Sequence, residues 1–225
     1  MRSILIGALS ALLGTASTAG QFYISGSGPR TIGNGQSITV ERAAPSPFDE
    51  LEVQGPIRVE VTRGEYSSLA VMADSNLIEL IETRVSGTTL MVGLKPDVSI
   101  ETRGELRVTL KAPQIKRARL SGSGDVILED LVQAEVRLQV RGSGDIVVDG
   151  TVNSAELQVQ GSGDIRGGNL RAQRVDAAVQ GSGDIRAYAQ TAARAHVTGS
   201  GDIDIAGRPS QRDVRVVGSG NVNFD

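Results

Sequence analysis

The chain has 225 residues, 39% hydrophobic but only 3% aromatic, and its 23 Lys and Arg stand against 26 Asp and Glu for a net charge of −3. That balance argues against a nucleic-acid partner, which would select a basic face. With no cysteine and one histidine, disulfides, a lipid-bearing N-terminal cysteine and zinc sites of the usual Cys/His spacing are excluded.

The N-terminus reads as a secretory signal over residues 1–19. Arg2 supplies the positive end, 4–13 the apolar run and Ser17-Thr18-Ala19 a small-x-small cleavage site, with the mature chain starting at Gly20. The run is too short to span a bilayer, so the mature protein is expected to be exported and not membrane-spanning. Residues 20–47 are rich in Gly, Ser, Thr, Asn and Pro and read as a flexible lead-in, with a strand at 37–41 and a stiff break at Ala43-Ala44-Pro45-Ser46-Pro47. Residues 48–115 read as an N-terminal β-rich module. Ile57, Val59 and Val61 alternate with polar residues, Asp74-Ser75-Asn76 caps a helical turn, and Ser86-Gly87 joins a hairpin over 80–94.

Residues 116–225 are organised by the motif Gly-Ser-Gly-Asp. Its first glycines are Gly122, Gly142, Gly161, Gly181, Gly199 and Gly218, spaced 20, 19, 20, 18 and 19 apart; its second are Gly124, Gly144, Gly163, Gly183, Gly201 and Gly220. A fixed period of this length is the signature of a solenoid. On both sides of each motif apolar residues alternate with polar ones, as in Leu157, Val159, Ile165 and in Leu138, Val140, Ile146, which is a strand pattern. The predicted fold is all-β: a right-handed parallel β-helix-like solenoid of about six coils, its N-terminal end covered by the β-rich module. By parity both glycines face inward at a sharp bend, while Ser and Asp face outward.

The aspartate column Asp125, Asp145, Asp164, Asp184 and Asp202, ending in Asn221, is the sharpest chemical feature. Carboxylates stacked about 4.8 Å apart repel by roughly 0.9 kcal/mol in water. Either a cation or hydrogen bonds must offset this, which makes the five aspartates candidate metal ligands. The competing reading is that each accepts backbone amides at the bend, and Asn221, which keeps the acceptor without the charge, favours it. Arg166 and Arg186 are placed to pair with aspartates on the same face. The serine column 123, 143, 162, 182, 200 and 219 repeats in every coil, so nothing singles out a nucleophile beside His196. No phosphate loop or dinucleotide fingerprint occurs, and no catalytic residue or cofactor is assigned.

Phe48-Asp49-Glu50-Leu51-Glu52-Val53, Ile57-Arg58-Val59-Glu60-Val61, Leu69-Ala70-Val71, Asp74-Ser75-Asn76-Leu77, Thr88-Thr89-Leu90 and the repeated Gly-Ser-Gly-Asp-Ile together resemble the head-GIN domain family of bacterial envelope proteins, also called autotransporter adhesins, over residues 40–225. The resemblance implies a β-solenoid, export to the periplasm or surface of a Gram-negative cell, and an adhesive role toward a protein or glycan ligand. Alternatives are a self-associating envelope protein, through a weak homo-oligomer, and a carbohydrate-active β-helix enzyme, which is analogy of fold alone.

Overall fold

The structure, a computed structural model, describes residues 22–23, 30–43 and 45–225; the signal segment, the Gly20 start and Gly26-Ser27-Gly28-Pro29 lie outside them. Strands appear in the order β1 (Phe22–Tyr23), β2 (Arg30–Ile32), β3 (Ser37–Arg42), β4 (Glu50–Gln54), β5 (Arg58–Arg63), β6 (Leu69–Asp74), β7 (Ile81–Ser86), β8 (Thr89–Leu94), β9 (Ser99–Thr102), β10 (Arg107–Ala112) and β11 (Arg117–Gly122). The long strands β12 (Asp125–Gly142), β13 (Asp145–Gly161), β14 (Ile165–Gly181) and β15 (Ile185–Gly199) follow, then β16 (Ile203–Ala206), β17 (Gln211–Gly218) and β18 (Val222–Phe224). Among the described residues there is no α-helix, only a 3₁₀ turn at Ile78–Leu80.

Period-2 alternation places the apolar columns inside. In β13, Ile146, Val148, Val152, Ala155, Leu157 and Val159 are buried, and their neighbours in sequence are not. Each long strand pairs in parallel with the next, residue on equivalent residue: Val140 stacks on Val159, and Val159 on Val179. The register slips only around the far corner of each coil, between Leu128 and Leu131, Val147 and Asp149, Gly167 and Arg171, and Ala172 and Arg174. There the return segment varies in length. The core thins toward the C-terminal coils: β15 buries Ala187, Ala189, Ala193 and Ala195 where β12 buries Leu128, Leu131, Val136 and Leu138.

The result is a β-solenoid of about five turns, against an expectation of about six. Six motif copies delimit five intervals, and the last copy, Gly218 to Asn221, closes a turn rather than opening another.

The N-terminal module is built into the stack. β4 lies in register between β11 and β8, and β5 lies between β12 and β10, all in parallel. β4, Gly55-Pro56 and β5 therefore form a rung preceding the first motif. Beyond that rung the direction reverses. β7 pairs antiparallel with β8 across the loop Gly87-Thr88, and β6 pairs antiparallel with β10 and β3. Antiparallel strands end the parallel ladder and so cover its open edge.

Residues 30–42 read from sequence as a flexible lead-in with a strand at 37–41; that strand is β3, which pairs with β6 over its whole length, and β2, parallel to β9, is not expected from the sequence. The Arg42 guanidinium fastens β3 further by donating to the carbonyls of Ile78 and Ile81 and to Thr83 Oγ1, at 2.8–2.9 Å. Of the residues expected to cap the helical turn, Ser75 and Asn76 are spent on this attachment and Asp74 on β9. Asn76 accepts from the Asn34 amide and donates to Ile32 O, while Asp74 accepts from Thr102 Oγ1 at 2.8 Å.

Candidate functional site

At each bend the chain turns within four residues, and from the third copy on the serine, second-glycine and fourth-position amides are all bonded to the coil before. In the third copy, the amides of Ser162 and Gly163 both donate to Gly142 O on the preceding coil, at 2.8 and 3.1 Å. The Asp164 amide donates to Asp145 Oδ1 at 2.9 Å, and the Asp164 carbonyl accepts from the Ile146 amide. The same set recurs along the stack.

The second glycines, Gly124, Gly144, Gly163, Gly183, Gly201 and Gly220, are all buried. A Cβ on Gly163 would run into the Gly144 carbonyl of the coil before it. The first glycines do not face the core as parity predicts: Gly122, Gly142 and Gly218 are exposed, and Gly161, Gly181 and Gly199 are half-buried. What they supply is backbone conformation, with φ between 121° and 132°, a region closed to other L-residues. Gly55, at φ 90°, takes this position on the preceding rung, donating to Ser121 O and accepting from the Gly124 amide.

The aspartate column forms a chain of side-chain-to-backbone bonds. Asp145, Asp164, Asp184 and Asp202 each use Oδ1 to accept the amide of the next coil's Asp164, Asp184, Asp202 or Asn221, at 2.8–3.0 Å. Asn221 adds a bond from its own amide nitrogen to Asp202 Oδ1. Charge is offset locally. Arg166 reaches Asp145 at 2.8 Å and Asp164 at 3.5 Å, and Arg58 of β5 reaches Asp125 at 3.4 Å. Arg186 pairs instead with Asp204, at 3.9 Å. The five aspartates thus sit one per rung, four of them with an oxygen committed to an amide.

The motif serines are exposed on every coil. His196 Nε2 lies 3.2 Å from Thr198 Oγ1 on its own strand, so the described contact of the imidazole is not to a motif serine.

The strands entering the bends form a second, flat face with three outward columns. One runs through Glu50, Arg117, Arg137, Glu156, Asp176, Arg194 and Asp213; the next through Glu52, Arg119, Gln139, Gln158, Ala178, His196 and Arg215; the third through Gln54, Ser121, Arg141, Gln160, Gln180, Thr198 and Val217. The first column is largely self-neutralised. Arg117 pairs with Glu50 at 2.8 Å, Arg137 with Glu156 at 3.1 Å, and Arg194 with both Asp176 and Asp213. At the column's foot Asp49 accepts a hydrogen bond from Lys116, which with the carboxylate charge holds that ammonium above the ordinary lysine range. Between the first two columns runs a cleft of about 350 Å³ lined by Arg117, Arg119, Arg137, Leu138, Gln139, Glu156 and Gln158. Sequence reading marked the middle column only as polar. The signal available was that its first coils carry Arg and Gln, not Ser or Thr.

The family described as "Putative auto-transporter adhesin, head GIN domain" matches residues 47–209. The chain belongs to this family. The matched head GIN span takes in the rung at Gly55, the reversed strands and the first five motif bends, and it ends before β17. Solved structures share the fold. A putative adhesin of Bacteroides fragilis superposes with a TM-score of 0.69 at 24% identity, over 87% of this chain and 100% of that one. A putative lipid binding protein of Parabacteroides distasonis gives 0.56 at 24%, over 88% and 100%, and a putative adhesin from the same organism 0.55 at 20%, also over 88% and 100%. No curated protein matches this head GIN chain. Among the described residues no helix is long and apolar enough to cross a membrane.

Proposed function

We propose that this protein is an exported, non-catalytic adhesin-like module that holds an envelope or extracellular ligand, a protein or a glycan, on the flat face of its solenoid. The observation that carries the reading is that face. Its mostly polar columns run in register from β4 to β17, a geometry suited to gripping an extended ligand at several points. Family membership and the adhesin descriptions of similar structures support the same reading. A non-catalytic role is supported by the serine column, which gives every coil the same hydroxyl in the same setting.

The test is binding of purified, labelled protein to intact cells and envelope fractions. Saturable attachment is expected, and a protein that attaches to neither overturns the reading. Export is tested apart from it: mass spectrometry of envelope material should show a chain starting near Gly20, and a full-length intracellular product would refute it.

Self-association is a second reading, favoured by β17. This strand is exposed along its length, with Val214, Val216 and Val217 at 40–49% exposure. Antiparallel pairing of two copies about Val214 would set Asp213 of each opposite Arg215 of the other.

A further inference from the structure

The flat face is not uniform. In its C-terminal half Arg194 bridges Asp176 and Asp213, and Arg215, which makes no ion pair among the described residues, stands singly beside His196 and Val217. Its N-terminal half holds two guanidiniums that no carboxylate neutralises. Arg119 is exposed and makes no hydrogen bond or ion pair among the described residues; the Glu52 side chain beside it in register accepts from the Gln54 amide. Arg141, one coil on and two residues along, donates only to the neutral Gln160 side chain, at 3.2 Å. Between and beside them stand the linked amides of Gln139 and Gln158 at the edge of the cleft.

We propose that this patch binds the carboxylate-bearing sugars of an acidic polysaccharide of the uronate class. The inference rests on the adhesin-like reading above and names the ligand chemistry of the same face. A guanidinium is a fixed fork of donors that matches a carboxylate bidentately, and two of them stand here without a partner of that kind. A glutamine amide offers both donors and an acceptor, as a sugar hydroxyl does. Rungs stand about 4.8 Å apart, so a linear polymer running along the stack meets Arg119, Gln139 and Gln158 in turn, with Arg141 beside them. Glu50, Glu52 and Glu156 hem the patch and limit its positive surplus, which disfavours a dense polyanion and suits one charge per sugar. A protein ligand fits less well: the cleft is lined by arginine, glutamine and glutamate with one buried leucine, whereas protein interfaces anchor on aromatic and apolar pockets.

Calorimetric titration of the purified full chain with polygalacturonate tests this, with neutral dextran, dextran sulfate and poly-glutamate as comparison probes. Saturable binding to polygalacturonate that weakens with salt is expected, and little to dextran. The double variant Arg119→Gln/Arg141→Gln should lose about tenfold or more in affinity with an unchanged thermal melt, both side chains being exposed. Arg186→Gln, on the other side of the bend, should bind as the parent does. The proposal is overturned if polygalacturonate does not bind, or if the double variant binds equally well. It is likewise overturned if dextran sulfate binds more tightly, which would mean charge density alone, or if poly-glutamate matches polygalacturonate, which would mean an acidic protein partner. Attachment to cells that persists without uronate binding sinks this ligand and leaves the adhesin-like reading standing; uronate binding without cell attachment does the reverse.

Discussion

At the scale of single residues, the bend motif divides its work among four chemistries. The first glycine supplies a positive φ, the second makes room for the backbone of the coil before it, the serine faces water, and the aspartate accepts an amide that the ladder leaves out. Gly163→Val should therefore destabilise the protein by about 3 kcal/mol or more, since the atom it would strike is main chain and cannot swing aside. Ser162→Ala should cost under about 1 kcal/mol. Urea melts of the two compare them directly, and equal losses would show that inward and outward have been misassigned. Asp164→Ala orphans the Asp184 amide and should cost about 1–2 kcal/mol, while Asp164→Asn, which keeps an acceptor, should cost clearly less. Much of this was legible in the sequence because the parity of Val159 and Ile165 around the motif fixes what faces in. The first glycine was misplaced because parity assumes an extended chain, and at φ near 125° the chain is no longer extended.

At the scale of elements, the rung made by β4, Gly55-Pro56 and β5 shows how far the repeat can drift and still stack. Of the four motif positions only the first glycine survives there, and the carboxylate is replaced by Arg58, which meets Asp125 from the other side. Gly55→Val should thus behave like the motif glycine substitutions, a loss of about 2–4 kcal/mol in the same melts. β17 makes a different prediction. It is paired on one side only, with β15, and is exposed throughout. Its amides should exchange with solvent far faster than those of β13, which is paired on both sides; hydrogen exchange followed by mass spectrometry resolves the two strands. The hairpin β7–β8 was readable from Gly87 and its flanking alternation. The attachment of β3 was not, because it depends on a partner about thirty residues away and on Arg42, whose role local pattern does not reveal.

At the scale of the molecule, about five stacked turns make a solenoid body on the order of 25 Å long at the strand spacing. Reversed strands close one end of it, and the exposed β17 lies toward the other. If two copies pair through β17, sedimentation of the mature protein between micromolar and near-millimolar concentration should show a weak, reversible rise in mass, and Val216→Asp should abolish it; a strict monomer across that range removes self-association as a reading. The bends also give the molecule a direction. From the third bend on, the amides of serine, second glycine and the fourth residue donate to acceptors on the coil before, and a single amide is met from the coil after. A ribosome releases the N-terminal coils first. Each new coil then emerges beside a finished row of carbonyl and carboxylate acceptors, and it leaves an equivalent row for its successor. Assembly can follow the order of synthesis, one turn at a time, without waiting for residues that have yet to be made.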